Sequence, residues 1–308
     1  MGGMESEGGE GTKAILVALG ANLGIATAKF VGFLLTRSSS MLAESVHSVA
    51  DTSNQGLLLL GGKRAAKVAT PEHPFGFGRE RYFWSFIVAL VLFTLGAVFA
   101  VVEGITKIRE PHEVESLGIA VVILVVGILL EGNSLRTAAR VARKGKGETG
   151  WWRYVRRSRS PEVPVVLLED TGALVGLVLA LGGVGLSRLT GDAVWDGVGT
   201  MAIGVLLGAI AVVLAVEMKS LLIGESATAA VQATITRAIE GHPSVESVVH
   251  MRTLHLGPDE LLVGAKVEFG DALDGAELAV AVDDVEAAVR DAVPEARVIY
   301  LEPDLRRP

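Results

Sequence analysis

Long apolar runs recur through the first two thirds of this sequence, at about 13–35, 41–64, 80–108, 114–142, 160–186 and 194–222. Each is close to the roughly 20 residues that cross a bilayer as a helix. In lipid every backbone polar group must be satisfied within the chain, so six such runs predict a bundle of six membrane helices. Half of the 308 residues are hydrophobic, which excludes a disordered chain and is too apolar for most soluble enzymes. The third and fourth runs are overlong and predict helices that project into water. Residues 1–12 are acidic and glycine-rich, and a disordered start is expected there. They lack the basic segment of a signal peptide, so the first run predicts a retained helix. Small residues recur at Gly20, Gly24, Ala28, Gly172, Gly176, Gly182 and Gly183, and they permit close helix approach in lipid.

Orientation follows from the connecting segments. Lys63, Arg64, Lys67, Arg79 and Arg81 follow the second run, and Arg140, Arg143, Lys144, Lys146, Arg153, Arg156, Arg157 and Arg159 lie after the fourth. The other connections are poorer in Lys and Arg and carry Glu110, Glu113, Glu115 and Asp192. By the positive-inside rule both termini are predicted to be cytoplasmic, in a multi-pass protein of the cell membrane. Residues 13–223 are thus read as the membrane domain and 224–308 as a cytoplasmic domain. In the latter, helical periodicity at 228–239 and 275–292, with Asp274 as a cap, alternates with strands at 245–256, 260–269 and 298–301. The order αββαβ predicts a small α+β fold with its helices on one face of a sheet. The formal net charge of −7 argues against nucleic acid as a partner. There is no cysteine, so any metal must be held by His, Asp, Glu or backbone oxygen.

One apolar run is chemically unusual. MLAESVHSVADTSNQGLLLLGG, residues 41–62, carries Glu44, His47 and Asp51 at i, i+3 and i+7. At about 100° per residue they share one stripe, and His47 and Asp51 lie one turn apart. Ionisable groups at membrane depth are costly and mark ion or proton paths. Asp51 is ten residues from Met41, and Asp170 is ten from Ser160 in the fifth run. At about 1.5 Å per residue both stand roughly 15 Å in, near the middle of a core about 30 Å thick. Ligands converging from two helices suit a tetrahedral Zn²⁺ site with N and O donors. Glu169 is adjacent to Asp170 but about 100° round the helix; it is read either as a further ligand or as a polar partner of another helix.

These stretches resemble the cation diffusion facilitator family of cation/proton antiporters. TRSSSMLAESVHSVADTSNQGLLLLG is similar to the family's helix 1–2 signature, HPFGFGRERYFW to its loop before helix 3, VEMKSLLIGE to its exit from helix 6, and Gly241 to Pro303 to its metallochaperone-like domain. The resemblance implies six transmembrane helices, a homodimer, and export of a divalent cation in exchange for protons. It implies metal ligation by His47, Asp51 and Asp170. The family's usual helix-5 histidine falls on Val166, in VVLLEDTGAL, as in a branch that includes mitochondrial-type zinc transporters. Glu169 is the candidate replacement. Loss of one imidazole hardens the site, so Mn²⁺, Fe²⁺ and Co²⁺ stand beside Zn²⁺ as transported substrates. Accessory metal sites are expected to be weak. Glu72 and His73 survive in the loop, where Phe77 replaces a histidine. His250 and Glu302 survive in the soluble domain, with Ala279 and Tyr300 at other ligand positions. His242 and His255 are expected at the surface.

A metal/proton antiporter is therefore the leading expectation, with the lipid bilayer, protons and a second copy of the chain as partners. The alternative is a membrane-anchored metal sensor or scaffold that has lost transport. No nucleophile–base pair, nucleotide-binding loop or cofactor motif is present, so no enzyme is expected.

Overall fold

The structure, a computed structural model, describes residues 23–111, 116–148 and 150–305. The expected disordered start, the first part of the first span with Gly20, and Glu113, Val114 and Glu115 lie outside the described residues. Among the described residues the first part of the chain holds seven helices: α1 (Leu23–Thr36), α2 (Ser39–Ala65), α3 (Glu80–Arg109), α4 (Leu117–Lys146), α5 (Trp151–Arg157), α6 (Glu162–Thr190) and α7 (Val194–Ile223). Four of them, α3, α4, α6 and α7, are long and apolar enough to cross a membrane on length and composition alone. At 30 residues each, α3 and α4 are about 45 Å long and outreach the roughly 30 Å hydrocarbon core. The described part of α1 is shorter, and α2 is less apolar because its buried face carries Ser45, Ser48, Glu44, His47 and Asn54. That polarity is where the bundle departs from a plain apolar core.

The chain divides into two compact units, Met1–Gly61 with Trp84–Met218, and Gly62–Phe83 with Lys219–Pro308. In the first, α2, α3, α4, α6 and α7 share a core that includes Met41, Leu92, Leu124, Leu177, Ile203 and Leu207. Glycines set the closest approaches. A Cβ on Gly104 would lie 2.7 Å from Met201 N, and one on Gly204 the same distance from Val101 N, so α3 and α7 meet backbone to backbone. Of the small residues noted in the sequence, Gly172, Gly176 and Gly183 do line close contacts, whereas Gly24 and Gly182 face open space. A turn of π-helix at Leu92–Val98 interrupts α3.

The α1–α2 turn passes through Arg37 at φ 55°. The start of α2 is then held in trans by Asp196 of α7. Its carboxylate accepts from Ser39 N–H and Ser38 Oγ, both at 2.9 Å. Ser40 Oγ donates to the Asp196 carbonyl at 3.0 Å, and Ser39 Oγ reaches Glu103 at 2.9 Å. A carboxylate at a helix N-terminus satisfies orphan N–H groups and complements the helix dipole.

The second unit contains α8 (Ala229–Glu240), β1 (Val245–Gly257), β2 (Glu260–Phe269), α9 (Gly275–Ala292) and β3 (Val298–Pro303). The sheet order is β1-β2-β3, antiparallel then parallel. Burial alternates along β2, with Leu261, Val263, Ala265, Val267 and Phe269 inward, the period-2 signature of a half-buried strand. They pack on Ile235 and Ile239 of α8 and on Val285 and Val289 of α9. Asp274 caps α9 in a full capping box with Glu277, as its position before an apolar run predicts.

Candidate metal centre

Glu44, His47, Asp51 and Asn54 stand along one stripe of α2. Glu44, His47 and Asn54 are fully buried, and the Asp51 side chain is 17% exposed. His47 Nε2 lies 3.5 Å from Asp51 Oδ2, one turn on. Neither ring nitrogen of His47 has a hydrogen-bond partner, and the same holds for Glu44 Oε1, Asp51 Oδ1 and Asn54 Oδ1. Buried polar groups in proteins are almost always satisfied. Four residues of this one stripe nevertheless carry buried polar atoms that the surrounding helices leave without a hydrogen bond.

Opposite this stripe α6 brings Glu169 and Asp170, and α4 brings Glu131 and Ser134. Between the helices lies a cavity of about 30 Å³ lined by Ser48, Asp51, Glu131, Ser134, Glu169 and Asp170, enough for one water molecule or ion. Asp170 Oδ2 accepts from Ser134 Oγ at 2.9 Å. Glu169 Oε1 accepts from Asn54 Nδ2 at 2.6 Å, so Glu169 has the polar partner on another helix that its angular offset from Asp170 suggested. Val166 also lines the cavity and offers only hydrocarbon. His47 is not part of the wall and reaches it through Asp51. Among the described residues no three His, Asp or Glu side chains converge closely enough to hold an ion as they stand.

Two charged residues at this depth were not singled out from the sequence. Lys29 of α1 is 1% exposed; its Nζ lies 3.1 Å from Glu44 Oε2, 2.8 Å from Ser48 Oγ and 3.9 Å from Glu131 Oε1. Glu131 follows the apolar run VVILVVGILL. A charge set in an otherwise apolar span was the available signal for both. The Glu44 carboxylate fits because residue 176 of α6 is glycine: a Cβ there would sit 2.5 Å from Glu44 Oε1.

The expected accessory sites are not assembled. Glu72 and His73 are exposed neighbours in a tight turn. The His73 ring packs on Phe77, centroids 4.6 Å apart. Hydrogen bonds to backbone and to Thr70 hold the Glu72 carboxyl below its ordinary range. His250 and Glu302 lie in one row across the sheet, but Lys266 stands between them, which separates them by two strand spacings, roughly 10 Å. Lys266 Nζ binds Glu302 at 3.0 Å and Asp304 at 2.8 Å, and hydrogen bonds to Asp304 and Glu302 raise its pKa. His250 Nε2 accepts from Arg252 Nε at 3.0 Å. A metal ion joining His250 to Glu302 would have to displace two cations. His255, expected at the surface, is 7% exposed, because the end of β1 where it lies is covered; its N–H donates to Glu225 O at 2.9 Å. His242 is half-buried, with Nδ1 accepting from Ser244 N–H at 3.3 Å.

Residues 15–223 match the family model described as the cation efflux transmembrane domain. The chain is 34% identical over 260 residues to the mouse (Mus musculus) protein named proton-coupled zinc antiporter SLC30A9, mitochondrial, covering 83% of this chain and 46% of that protein. It is 35% identical over 259 residues to the Xenopus laevis protein of the same name, with the same shares. It is 29% identical over 259 residues to metal tolerance protein C4 of Arabidopsis thaliana, covering 83% of this chain and 57% of that protein. The chain thus spans about half the length of these relatives.

Proposed function

The chain belongs to the cation efflux family, and from that membership we propose that it is a transporter, not an enzyme, moving Zn²⁺ across a membrane in exchange for protons. The observation that carries this reading is the fully buried His47 ring, its nitrogens without a hydrogen-bond partner, beside Asp51, which itself faces Asp170 of α6 across a cavity of ionic size. Relatives named for zinc antiport and metal tolerance support it.

In this proposal His47, Asp51 and Asp170 are the core of the transport site. Every ligand must lose its proton to bind a metal, so loading the site expels protons and reloading it with protons expels the metal. Alternating access to the two faces turns that competition into antiport. The single imidazole keeps preference for Zn²⁺, while the carboxylates leave Mn²⁺, Fe²⁺ and Co²⁺ as poorer substrates. We assign 13–223 to the membrane domain and 224–308 to a cytoplasmic domain that pairs two copies of the chain. Both termini face the cytoplasm of a cell-membrane protein, on the basis of the basic loops.

Uptake of Zn²⁺, Mn²⁺, Fe²⁺ and Co²⁺ by proteoliposomes holding the wild type and Asp51→Ala tests the site. Uptake led by Zn²⁺ and abolished in Asp51→Ala is expected, and wild-type flux in that variant would refute it. For topology, a cysteine introduced at Ser158 or Thr228 is the sole thiol in the chain. Labelling of either from outside intact cells would reverse the orientation.

A further inference from the structure

The helix-5 histidine is missing, and Glu169, its candidate substitute, is taken by Asn54. Glu131 of α4 is differently placed. It lines the cavity with Asp51 and Asp170. Its recorded contact is a long one, 3.9 Å to Lys29 Nζ, and its side chain is 14% exposed. Ser134, three residues on along the same face of α4, already touches Asp170 at 2.9 Å, so this face of α4 is turned to the acids of α6. Lys29 is bound more closely by Glu44 and Ser48, which leaves Glu131 only loosely tied to it. The four cavity carboxylates are not by themselves a site. The independent sign of a ligand is His47: 0% exposed, both nitrogens unpartnered, and Nε2 directed at Asp51 in the cavity wall.

We propose that Glu131 is a metal ligand of the transport site, completing with His47, Asp51 and Asp170 a set of one nitrogen and three carboxylate donors. The inference rests on the transport-site reading above. In it α4 supplies what α6 lacks at Val166, and Lys29 is the cation from which Glu131 turns to the metal. Glu169 stays with Asn54 and orients α2 against α6. Four ligands from three helices would tie α4 to the moving site, so cation binding is felt by α2, α4 and α6 together.

Two measurements on the full-length protein in nanodiscs test this. The first is Zn²⁺ affinity by calorimetry for wild type, Asp51→Ala, Glu131→Gln and Glu169→Gln. Loss of a residue that merely supports a ligand weakens metal binding about 10–100-fold, so Glu131→Gln is expected at the upper end, about 100-fold weaker, and Glu169→Gln close to wild type. The second uses Co²⁺ with Glu131→Cys and Glu169→Cys, each carrying the sole thiol in the chain. A thiolate-to-cobalt charge-transfer band appears only where the new thiol ligates. It is expected with Glu131→Cys and not with Glu169→Cys. If Asp51→Ala weakens binding while Glu131→Gln does not, or the band arises at 169 and not at 131, the role of Glu131 is overturned and the transport site stands. If Asp51→Ala binds Zn²⁺ as tightly as wild type, the transport site fails and this inference with it.

Discussion

Replacing Lys29 by methionine removes the ammonium and keeps most of the stem. Lys29 and Glu44 are 1% and 0% exposed and 3.1 Å apart, and Glu44 Oε1 has no other partner. A pair so buried contributes little beyond an apolar pair of the same shape, because each ion has given up its hydration. Removing one member is different: it leaves a buried charge uncompensated and costs about 3–5 kcal/mol. At about 2–3 °C per kcal/mol for a chain of this size, Lys29→Met should lower the apparent unfolding midpoint by roughly 6–15 °C. The double variant Lys29→Met with Glu44→Gln leaves no charge stranded at position 44, with only the longer 3.9 Å contact to Glu131 lost, and should regain more than half of that loss. Tryptophan fluorescence on the purified full-length protein at one fixed scan rate reads both midpoints. A single variant within about 2 °C of wild type, or a double variant as unstable as the single, would refute the reasoning.

Three further outcomes follow from the same geometry. Gly176→Ala places a Cβ 2.5 Å from Glu44 Oε1, so the carboxylate has to shift against its 3.1 Å contact with Lys29 Nζ, which should cost about 1–3 kcal/mol in the same assay; an unchanged midpoint contradicts it. Asp196→Ala strips the start of α2 of a charged cap and leaves Ser39 N–H unpaired, which should cost about 2–3 kcal/mol. Asp196→Asn should recover most of this, and equal losses in the two variants would count against the cap. Zn²⁺ affinity should fall steadily as pH is lowered from 8 to 6, because protons and metal compete for the same lone pairs; a flat calorimetric profile would contradict ligation by these side chains.

Most of the architecture was legible in the sequence because its signals are local. Apolar runs of membrane length, the alternation along β2 and the Asp274 box before α9 depend on neighbours in the chain, and the second to sixth runs and the elements of the second unit formed within a few residues of their expected positions. The pairing of His47 with Asp51 was legible too, since one helical turn dictates it. What could not be read is what distant helices bring to one another. Nothing local says that Asn54 takes Glu169, that Ser134 takes Asp170, or that Lys29 reaches Glu44 from another helix. The sheet row His250–Lys266–Glu302 is likewise set by strand register, which places a lysine between two residues that look like partners in sequence. His255 was misplaced for the same reason, because burial at the end of β1 is tertiary.

The central claim is exchange of metal for protons through the α2–α6 site, and zinc flux under an imposed pH gradient tests it most directly. In proteoliposomes acidic inside and buffered alkaline outside, protons leaving down their gradient should drive Zn²⁺ inward. Uptake should cease when the gradient is collapsed with a protonophore, and Asp51→Ala should show none. Zn²⁺ entry at the same rate with and without the gradient, or undiminished in Asp51→Ala, would contradict the account.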